Sequence, residues 1–366
     1  MDPRLRKMAD VLVSYSIEAK PGQWIAIQTP ILGEPLAVAC TEAILRAGAN
    51  PTVFFVSEEV QEARLRLGND EQLAFVPPTT RVSAEQADAS IAILAPRNTR
   101  ELSAIDPKHM ATANRAMQSI NELRFKRTAQ GSFRWTIAAY PTPAGAQDAN
   151  MSLRAYEDFV YGAGLLDQED PVAAWQALAE RQQRLIDWLE GKKEFHITGP
   201  GTDLTLSVEG RTWINDEGHF NFPGGEIFTG PVEDSAEGTI QFNFPAFYGG
   251  REVHGVRLVY RGGRVVEAGA TSDEEYLLQM LDLDEGARRL GEFAIGTNPG
   301  IHQFTKNTLF DEKIGGTLHM ALGRSIPQTG GQNVSALHWD MVFNLREGGE
   351  ITVDGEQFSR NGEFVI

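Results

Sequence analysis

The sequence predicts an α/β N-terminal domain, with a mostly parallel sheet and flanking helices, followed by a mainly β, α+β C-terminal domain. The 366-residue chain exceeds the size of one ordinary hydrophobic core. Helical and strand patterns alternate up to about residue 190, and short strand and hairpin patterns dominate beyond it. We therefore predict two domains, residues 1–190 and residues 191–366.

The N-terminal domain opens with a helical pattern from Asp2 to Lys20, which Pro21 and Gly22 end. A second helix is predicted over residues 33–47. Strands separated by helices of this length indicate βαβ units and a mostly parallel sheet. None of the predicted strands of this domain is followed by a GxGxxG or GxxxxGK[ST] motif, so a nucleotide-binding function has no support. The predicted strands are 24–28, 51–56, 89–94 and 133–138.

A long amphipathic helix from Asp170 to Gly191 leads into the C-terminal domain. One further helix is predicted from Ser272 to about Leu290, because Ser272 and Glu275 have the spacing of a capping box. The predicted strands of this domain are 195–198, 204–208, 238–242, 256–260 and 265–268.

Composition narrows the functional classes. No stretch of 18 or more apolar residues occurs, and the first ten residues lack the apolar core of a signal peptide, which predicts a cytoplasmic protein without a membrane partner. A formal net charge of −17 argues against a nucleic-acid partner. The lone cysteine, Cys40, excludes an internal disulfide and a thiolate metal site.

Five potential metal ligands lie in four glycine-punctuated or apolar segments of the C-terminal domain. Mixed carboxylate and imidazole donors suit a pair of divalent ions used for hydrolysis. An ionised Glu292 in an apolar strand is costly unless a partner or a metal compensates it. In an extended segment His338 and Asp340 point to the same face. The five are Glu226 in FPGGEIFTGP, Glu292 in LGEFAIG, His319 in GTLHMALG, and His338 with Asp340 in SALHWD.

Each residue also has an ordinary explanation when it is taken alone. His319 could be a hydrogen-bonded core residue, Glu226 a solvated loop acid, and the pair around Trp339 part of a surface strand. Glu312, in TLFDEKIGG, could be a further ligand, a general base or a partner for a substrate amine. Its alternative is a solvated turn acid paired loosely with Lys313.

The ordered motifs resemble the M29 family of metallo-aminopeptidases, the thermophilic aminopeptidase T group. The first glutamate loop of that family, P-x-x-E-[VI]-F-T-x-P, is similar to PGGEIFTGP at Pro223–Pro231, and its second glutamate strand is similar to Gly291-Glu292. The family's histidine after L-F-D-E is matched by His319, and its closing H-x-D by HWD at 338–340.

The resemblance implies a cytosolic, homodimeric exopeptidase that binds two divalent ions (zinc, cobalt, manganese or magnesium) and acts on peptides with a free N-terminus. It implies Glu226, Glu292, His319, His338 and Asp340 as ligands, with Glu312 as the candidate base. Two positions depart from the family. Glu312 precedes His319 by seven residues rather than five, and Ile326 stands where the family often has an oxyanion-stabilising tyrosine, which leaves Arg324 or a metal for that role.

Two other classes stay open. Some relatives of M29 peptidases are mononuclear iron ring-cleaving dioxygenases acting on dihydroxypyridines, and two histidines with Asp340 are enough for such an iron site. Retention of both Glu226 and Glu292 favours the peptidase. A binding scaffold with a structural metal, or with none, is disfavoured because structural zinc sites prefer closed, cysteine-rich ligand sets.

Overall fold

The computed structural model describes residues 2–366, which form two compact units. The first runs to residue 174 and includes 218–223, and the second holds 175–217 and 224–366. This division falls inside the helix Pro171–Leu189, upstream of the predicted boundary at residue 190. The second unit takes most of the helix because Leu185 and Leu189 pack into its hydrophobic core. No helix in residues 2–366 is long and apolar enough to cross a membrane.

The first unit is built on a five-stranded parallel sheet in the order β2-β1-β3-β4-β8. This confirms the predicted α/β class. Its strands are β1 Trp24–Pro30, β2 Asn50–Val56, β3 Ala89–Leu94, β4 Arg134–Ala139 and, from the returning segment, β8 Asn221–Phe222. Its helices are α1 Pro3–Val11, α2 Glu34–Arg46, α3 Glu58–Leu67, α4 Asp70–Leu73, α5 Pro78–Gln86, α6 Pro107–Ala129, α7 Pro143–Asp148 and α8 Leu153–Ala163.

The predicted helix from Asp2 to Lys20 is shorter in the structure. It changes from α-helical to π-helical hydrogen bonding over Leu12–Ser16 and ends there. The Ser16 hydroxyl donates a hydrogen bond of 2.7 Å to the carbonyl oxygen of Gly218, and Glu18 has a positive φ of 47°. The chain therefore leaves the helix before the Pro21-Gly22 turn.

The second unit is mainly antiparallel sheet, which confirms the predicted C-terminal class. An eight-stranded sheet has the order β14-β13-β10-β6-β5-β18-β19-β20, and a five-stranded sheet has the order β17-β16-β15-β9-β7. The eight-stranded sheet holds β5 Glu194–Gly199, β6 Thr202–Ser207, β10 Glu237–Gln241, β13 Arg257–Arg261, β14 Arg264–Gly269, β18 Glu350–Val353, β19 Glu356–Arg360 and β20 Glu363–Phe364. The five-stranded sheet holds β7 Ile214–Asp216, β9 Glu226–Thr229, β15 Leu290–Gly296, β16 Thr317–Gly323 and β17 His338–Asn344. A separate hairpin consists of β11 Ala246–Tyr248 and β12 Arg251–Val253. The helices are α9 Pro171–Leu189, α10 Glu274–Leu281 and α11 Thr308–Asp311.

The two large sheets contribute to one core. Phe195 of β5 meets Phe293 of β15 edge to face, with their ring centroids 5.0 Å apart. Ile227, Met320 and Trp339 of the five-stranded sheet belong to the same cluster. Because side chains alternate between the faces of a strand, the residues next to these core residues point to the opposite face.

The prediction of a capping box at Ser272 was wrong. Helix α10 begins at Glu274 and ends at Leu281, and Asp273 precedes it in a left-handed conformation without a side-chain cap. The Ser272 hydroxyl instead accepts a hydrogen bond from the His254 backbone amide, and the Asp273 carboxylate is bound by Arg251. Tertiary partners therefore bind Ser272 and Asp273, and the capping box predicted from Ser272 and Glu275 does not form.

Candidate metal centre

The five predicted ligands lie on one face of the five-stranded sheet, opposite its core. Glu226 begins β9, Glu292 is in β15, His319 is in β16, and His338 and Asp340 are in β17. The registers bring them into reach of one another. Glu292 and Asp340 both pair with Ala321 on the strand between them, one from each side. A small residue at that position leaves space between the two carboxylates.

The ligand atoms converge. The Nε2 atom of His319 lies 3.4 Å from Glu226 Oε2 and 3.7 Å from Glu292 Oε1. The Nε2 atom of His338 lies 3.3 Å from Glu292 Oε2 and 3.7 Å from Asp340 Oδ1. These contacts define two groups with donor atoms within 4.8 Å of one another: Glu226, Glu292 and His319, and Glu292, His338 and Asp340. Glu292 is common to both.

Three atoms of the cluster lack a protein partner. Glu226 Oε2, His319 Nε2 and Asp340 Oδ1 are buried, and no group in residues 2–366 forms a hydrogen bond with them. Leaving such atoms unsatisfied costs free energy, because buried polar groups lose their hydration. Two oxygens and one imidazole nitrogen without partners in a shared space fit divalent cations.

The two imidazoles present the correct nitrogen to this space. His319 Nδ1 donates to the Glu312 carbonyl oxygen at 3.0 Å, and His338 Nδ1 donates to the Arg324 carbonyl oxygen at 2.8 Å. A carbonyl only accepts hydrogen bonds, so each Nδ1 carries a proton and each Nε2 of the neutral ring has a lone pair. Hydrogen bonding of the second ring nitrogen is the usual arrangement of metal-ligating histidines.

The loop before Glu226 is fixed by close backbone contacts. Gly225 has a φ of +113°, and a Cβ atom there would lie 2.5 Å from Asn298 Cβ. Asn298 Nδ2 donates to the Gly224 carbonyl oxygen at 2.8 Å. The buried Gln182 amide donates to the Glu226 carbonyl oxygen at 2.7 Å. A glycine at position 225 is therefore required for the chain to pass Asn298 and place Glu226 at the start of its strand.

Burial and the neighbouring charges shift the acidity of the cluster. Burial raises the pKa of Glu226 to about 8, and burial together with Glu312 raises the pKa of Asp340 to about 7. Burial also opposes ionisation of Glu292, but the two histidines hold its pKa at about 2. Glu292 in turn keeps the pKa of His319 at about 10 and that of His338 at about 9, despite their burial. Without bound ions, protons compensate this crowding of carboxylates.

Lys313 and Asp216, which the sequence analysis did not single out as ligands or acids of the site, complete the cluster. Lys313 is fully buried, with Nζ 3.0 Å from Glu312 Oε2, 3.1 Å from Glu226 Oε1 and 3.7 Å from Asp216 Oδ2. These carboxylates hold the pKa of Lys313 well above its usual value although burial opposes it. Glu312 is thus bound to an enclosed lysine rather than to a solvated one. The sequence signal that could have indicated burial of Lys313 was the presence of the apolar residues Phe310 and Ile314 on either side of it.

The other predicted participants lie at the border of the cluster. Arg324 is exposed, and its carbonyl oxygen accepts the hydrogen bond from His338. Ile326 is half-buried, immediately before the short 3-10 turn Pro327–Thr329.

The profile of the thermophilic metalloprotease (M29) family matches residues 1–364. The chain belongs to the M29 family. It is 31% identical to aminopeptidase 2 of Geobacillus stearothermophilus over 354 residues, which cover 89% of this chain and 84% of that protein. It is 27% identical to aminopeptidase T of Thermus thermophilus, over 99% of this chain and 98% of that protein. The predicted family and the predicted class, a metal-dependent peptide hydrolase, are confirmed.

Solved structures agree on the fold. The structure of wild-type AmpT from Thermus thermophilus superposes with a TM-score of 0.85 at 26% identity, over 100% of this chain and 99% of that chain. The 2,5-dihydroxypyridine dioxygenase of Pseudomonas putida KT2440 superposes with a TM-score of 0.62 at 16% identity, over 100% and 98% of the two chains. At that identity the second likeness shows a shared fold alone.

Proposed function

We propose that this M29 enzyme is an aminopeptidase that removes N-terminal residues from peptides with two divalent ions sharing Glu292. The observation that carries the proposal is the pair of donor groups, Glu226 with His319 and His338 with Asp340, on either side of Glu292. A carboxylate with one oxygen facing each histidine suits a bridging ligand. The mixed nitrogen and oxygen donors suit zinc, cobalt or manganese, and magnesium less well.

The formal charges of the cluster support two ions. Glu226, Glu292, Asp340, Glu312 and Asp216 contribute five negative charges, and the buried lysine among them contributes one positive charge. The remaining four negative charges equal the charge of two divalent cations when both imidazoles are neutral. A single divalent ion would leave two negative charges for protons to compensate, whereas two ions compensate all four with every carboxylate ionised.

The chemistry that bound divalent ions supply is acidification of water and polarisation of the scissile carbonyl. The chain contributes the proton acceptor and the substrate contacts. Glu312 is the proposed base, because its carboxylate adjoins the ligand cluster and its side chain is 18% exposed, unlike the enclosed Glu226. The acidic cluster would also attract the free ammonium of a peptide and set the cleavage point relative to the N-terminus.

Metal analysis combined with a hydrolysis screen tests this function. Chelated protein reconstituted with zinc, cobalt, manganese or magnesium should bind two equivalents and release the first residue from aminoacyl amides. N-acetylated versions of the same substrates should be inert, because acetylation removes the charge and two of the donor hydrogens. Equal rates on both would refute the exopeptidase assignment. Iron-dependent oxygen consumption with dihydroxypyridines, without amide cleavage, would move the protein to the dioxygenase class.

We also propose that the enzyme works as a cytoplasmic homodimer. The family resemblance supports the dimer, and an exopeptidase needs restricted access that excludes chain interiors. The single cysteine, which is buried, is compatible with a reducing compartment. Sedimentation should give a particle of about twice the 40.3 kDa chain. A fully active monomer would contradict this part of the proposal.

A further inference from the structure

Lys313 is fully buried, which is unusual for a lysine. Its ammonium has three donor hydrogens, and three carboxylate oxygens surround it, from Glu312, Glu226 and Asp216. Its enclosure among three carboxylates, with Nζ–O distances of 3.0, 3.1 and 3.7 Å, distinguishes it from a surface ion pair. The proposed mechanism gives this residue no role so far.

The backbone holds Lys313 in place independently of its side chain. Its amide donates to the Phe310 carbonyl oxygen at 3.0 Å, and its carbonyl oxygen accepts from the Asn298 amide at 3.1 Å. On the neighbouring strand, a Cβ atom at Gly296 would lie 2.2 Å from the Ile314 carbonyl oxygen, so the two backbones are in close contact. The backbone position from which the side chain reaches the carboxylates is therefore fixed by the fold.

The two oxygens of the Glu226 carboxylate have different contacts. Oε1 binds Lys313 Nζ at 3.1 Å, whereas Oε2 faces His319 Nε2 at 3.4 Å and has no hydrogen-bond partner in residues 2–366. Glu312 is held in the same way, with Oε2 at 3.0 Å from the ammonium. One oxygen of each carboxylate is thus fixed, and the orientation of the other follows from it.

We propose that Lys313 is a positioning residue whose ammonium is a fixed third cation of the centre, orienting the Glu226 ligand oxygen and the Glu312 base. Lys313 does not itself contact substrate, because it is enclosed and its donors face carboxylates. It acts through Glu226 and Glu312. Its loss should therefore lower kcat much more than it changes KM.

Chemical rescue tests the role of the ammonium. Lys313→Ala removes three methylenes and the amine, which together correspond to n-propylammonium. Lys313→Met is the matched control, since its side chain fills the space without supplying a charge or a donor. Lys192→Ala controls for general effects of the amine, because Lys192 forms a surface ion pair of 2.9 Å with Glu356 away from the cluster. Tetramethylammonium controls for ionic strength, since it has no N–H donor.

In the metal-free protein, both Lys313 variants should melt several degrees below wild type, because they leave buried carboxylates without their counterion. n-Propylammonium should raise the Tm of Lys313→Ala and leave Lys313→Met, Lys192→Ala and wild type unchanged. In the metal-loaded protein, kcat should fall by roughly 10² in both variants, the scale of a misplaced base, with KM within about threefold. The amine should restore at least about a tenth of the lost activity in Lys313→Ala only.

The activity measurement rests on the proposed function, whereas the melting measurement does not. An inactive wild type whose Lys313→Ala variant is still stabilised by the amine would count against the peptidase and support the fixed cation. A folded Lys313→Ala without rescue of Tm, or a Lys313→Met variant with kcat within threefold of wild type, would overturn the proposal. If neither variant folds, Asp216→Asn combined with Lys313→Met restores the formal charge balance. That double variant must then yield more folded protein than Lys313→Met, and failure to do so would equally overturn the proposal.

Discussion

Replacing Glu292 by alanine tests whether the centre is one shared site or two separate groups of acids. Glu292 contributes an oxygen to each of the two donor groups, at 3.7 Å from His319 and 3.3 Å from His338. Truncation therefore removes a donor from both groups and one of the negative charges that balance the ions. We expect binding to fall from two equivalents to at most one.

The expected loss can be scaled from the contacts. Removing an outer partner of a metal ligand typically lowers metal affinity by about 10- to 100-fold. Loss of a ligand shared by two ions should exceed this for each ion, so activity at micromolar metal should fall by at least about 10³. Glu226→Ala and Asp340→Ala are the matched controls, because each truncates a donor of one group only. Each should retain one tightly bound equivalent.

Isothermal titration of chelated protein, with metal analysis after gel filtration, provides the measurement. The ordering of the three variants is the critical result, with Glu292→Ala weakening both binding events and each control weakening one. Two unchanged equivalents in Glu292→Ala would refute the bridging role. A control that abolished both equivalents while Glu292→Ala kept one would refute the assignment of the groups.

Three further predictions concern neighbouring residues. Burial raises the Asp311 pKa from 3.8 to about 7, so ionisation of Asp311 destabilises the fold as pH rises between those values. The Asp311→Asn variant, which can still accept hydrogen bonds from Thr305, should therefore be more stable than wild type by up to about 4 kcal/mol at pH 8 and by much less at pH 4.5. Equal differences in urea midpoint at the two pH values would contradict this. Gly225→Ala should weaken binding of the metal ion held by Glu226 and leave binding of the second ion unchanged, because the alanine Cβ would collide with Asn298. Titration of the variant with metal measures this, and two unchanged equivalents would contradict it. Ile326→Tyr should change kcat by only a few-fold if the metals stabilise the oxyanion. A gain in kcat of about 10² to 10³ would show that the wild-type enzyme lacks a hydrogen-bond donor to the oxyanion.

Much of the site follows from the period of the strands. Phe293, Trp339 and Met320 are apolar and belong to the core, so their neighbours along each strand must face the other side of the sheet. The spacing in HWD and the apolar setting of Glu292 were enough to place these residues on strands. What spacing could not supply was the register, which brings Glu292 and Asp340 to the two sides of Ala321.

Local patterns failed where distant partners compete for the same atoms. Ser272 and Glu275 have capping-box spacing, but the Ser272 hydroxyl accepts a hydrogen bond from His254, and Arg251 binds the residue between them. The helix therefore begins later than its sequence indicated. Such competition depends on chain segments about 20 residues away, which no local window includes.

Lys313 shows the same limit at the centre itself. A lysine next to a glutamate in a glycine-rich turn has the local signature of a solvated ion pair. Its burial results from non-local contacts: Asn298 holds its carbonyl oxygen, and the absence of a side chain at Gly296 lets the strand approach the following residue. Once enclosed, the ammonium is stable only beside several carboxylates, and two of these belong to the proposed ligand Glu226 and the proposed base Glu312. The ligands and the lysine are therefore interdependent, so changing Lys313 should alter the metal centre even though it donates no ligand atom.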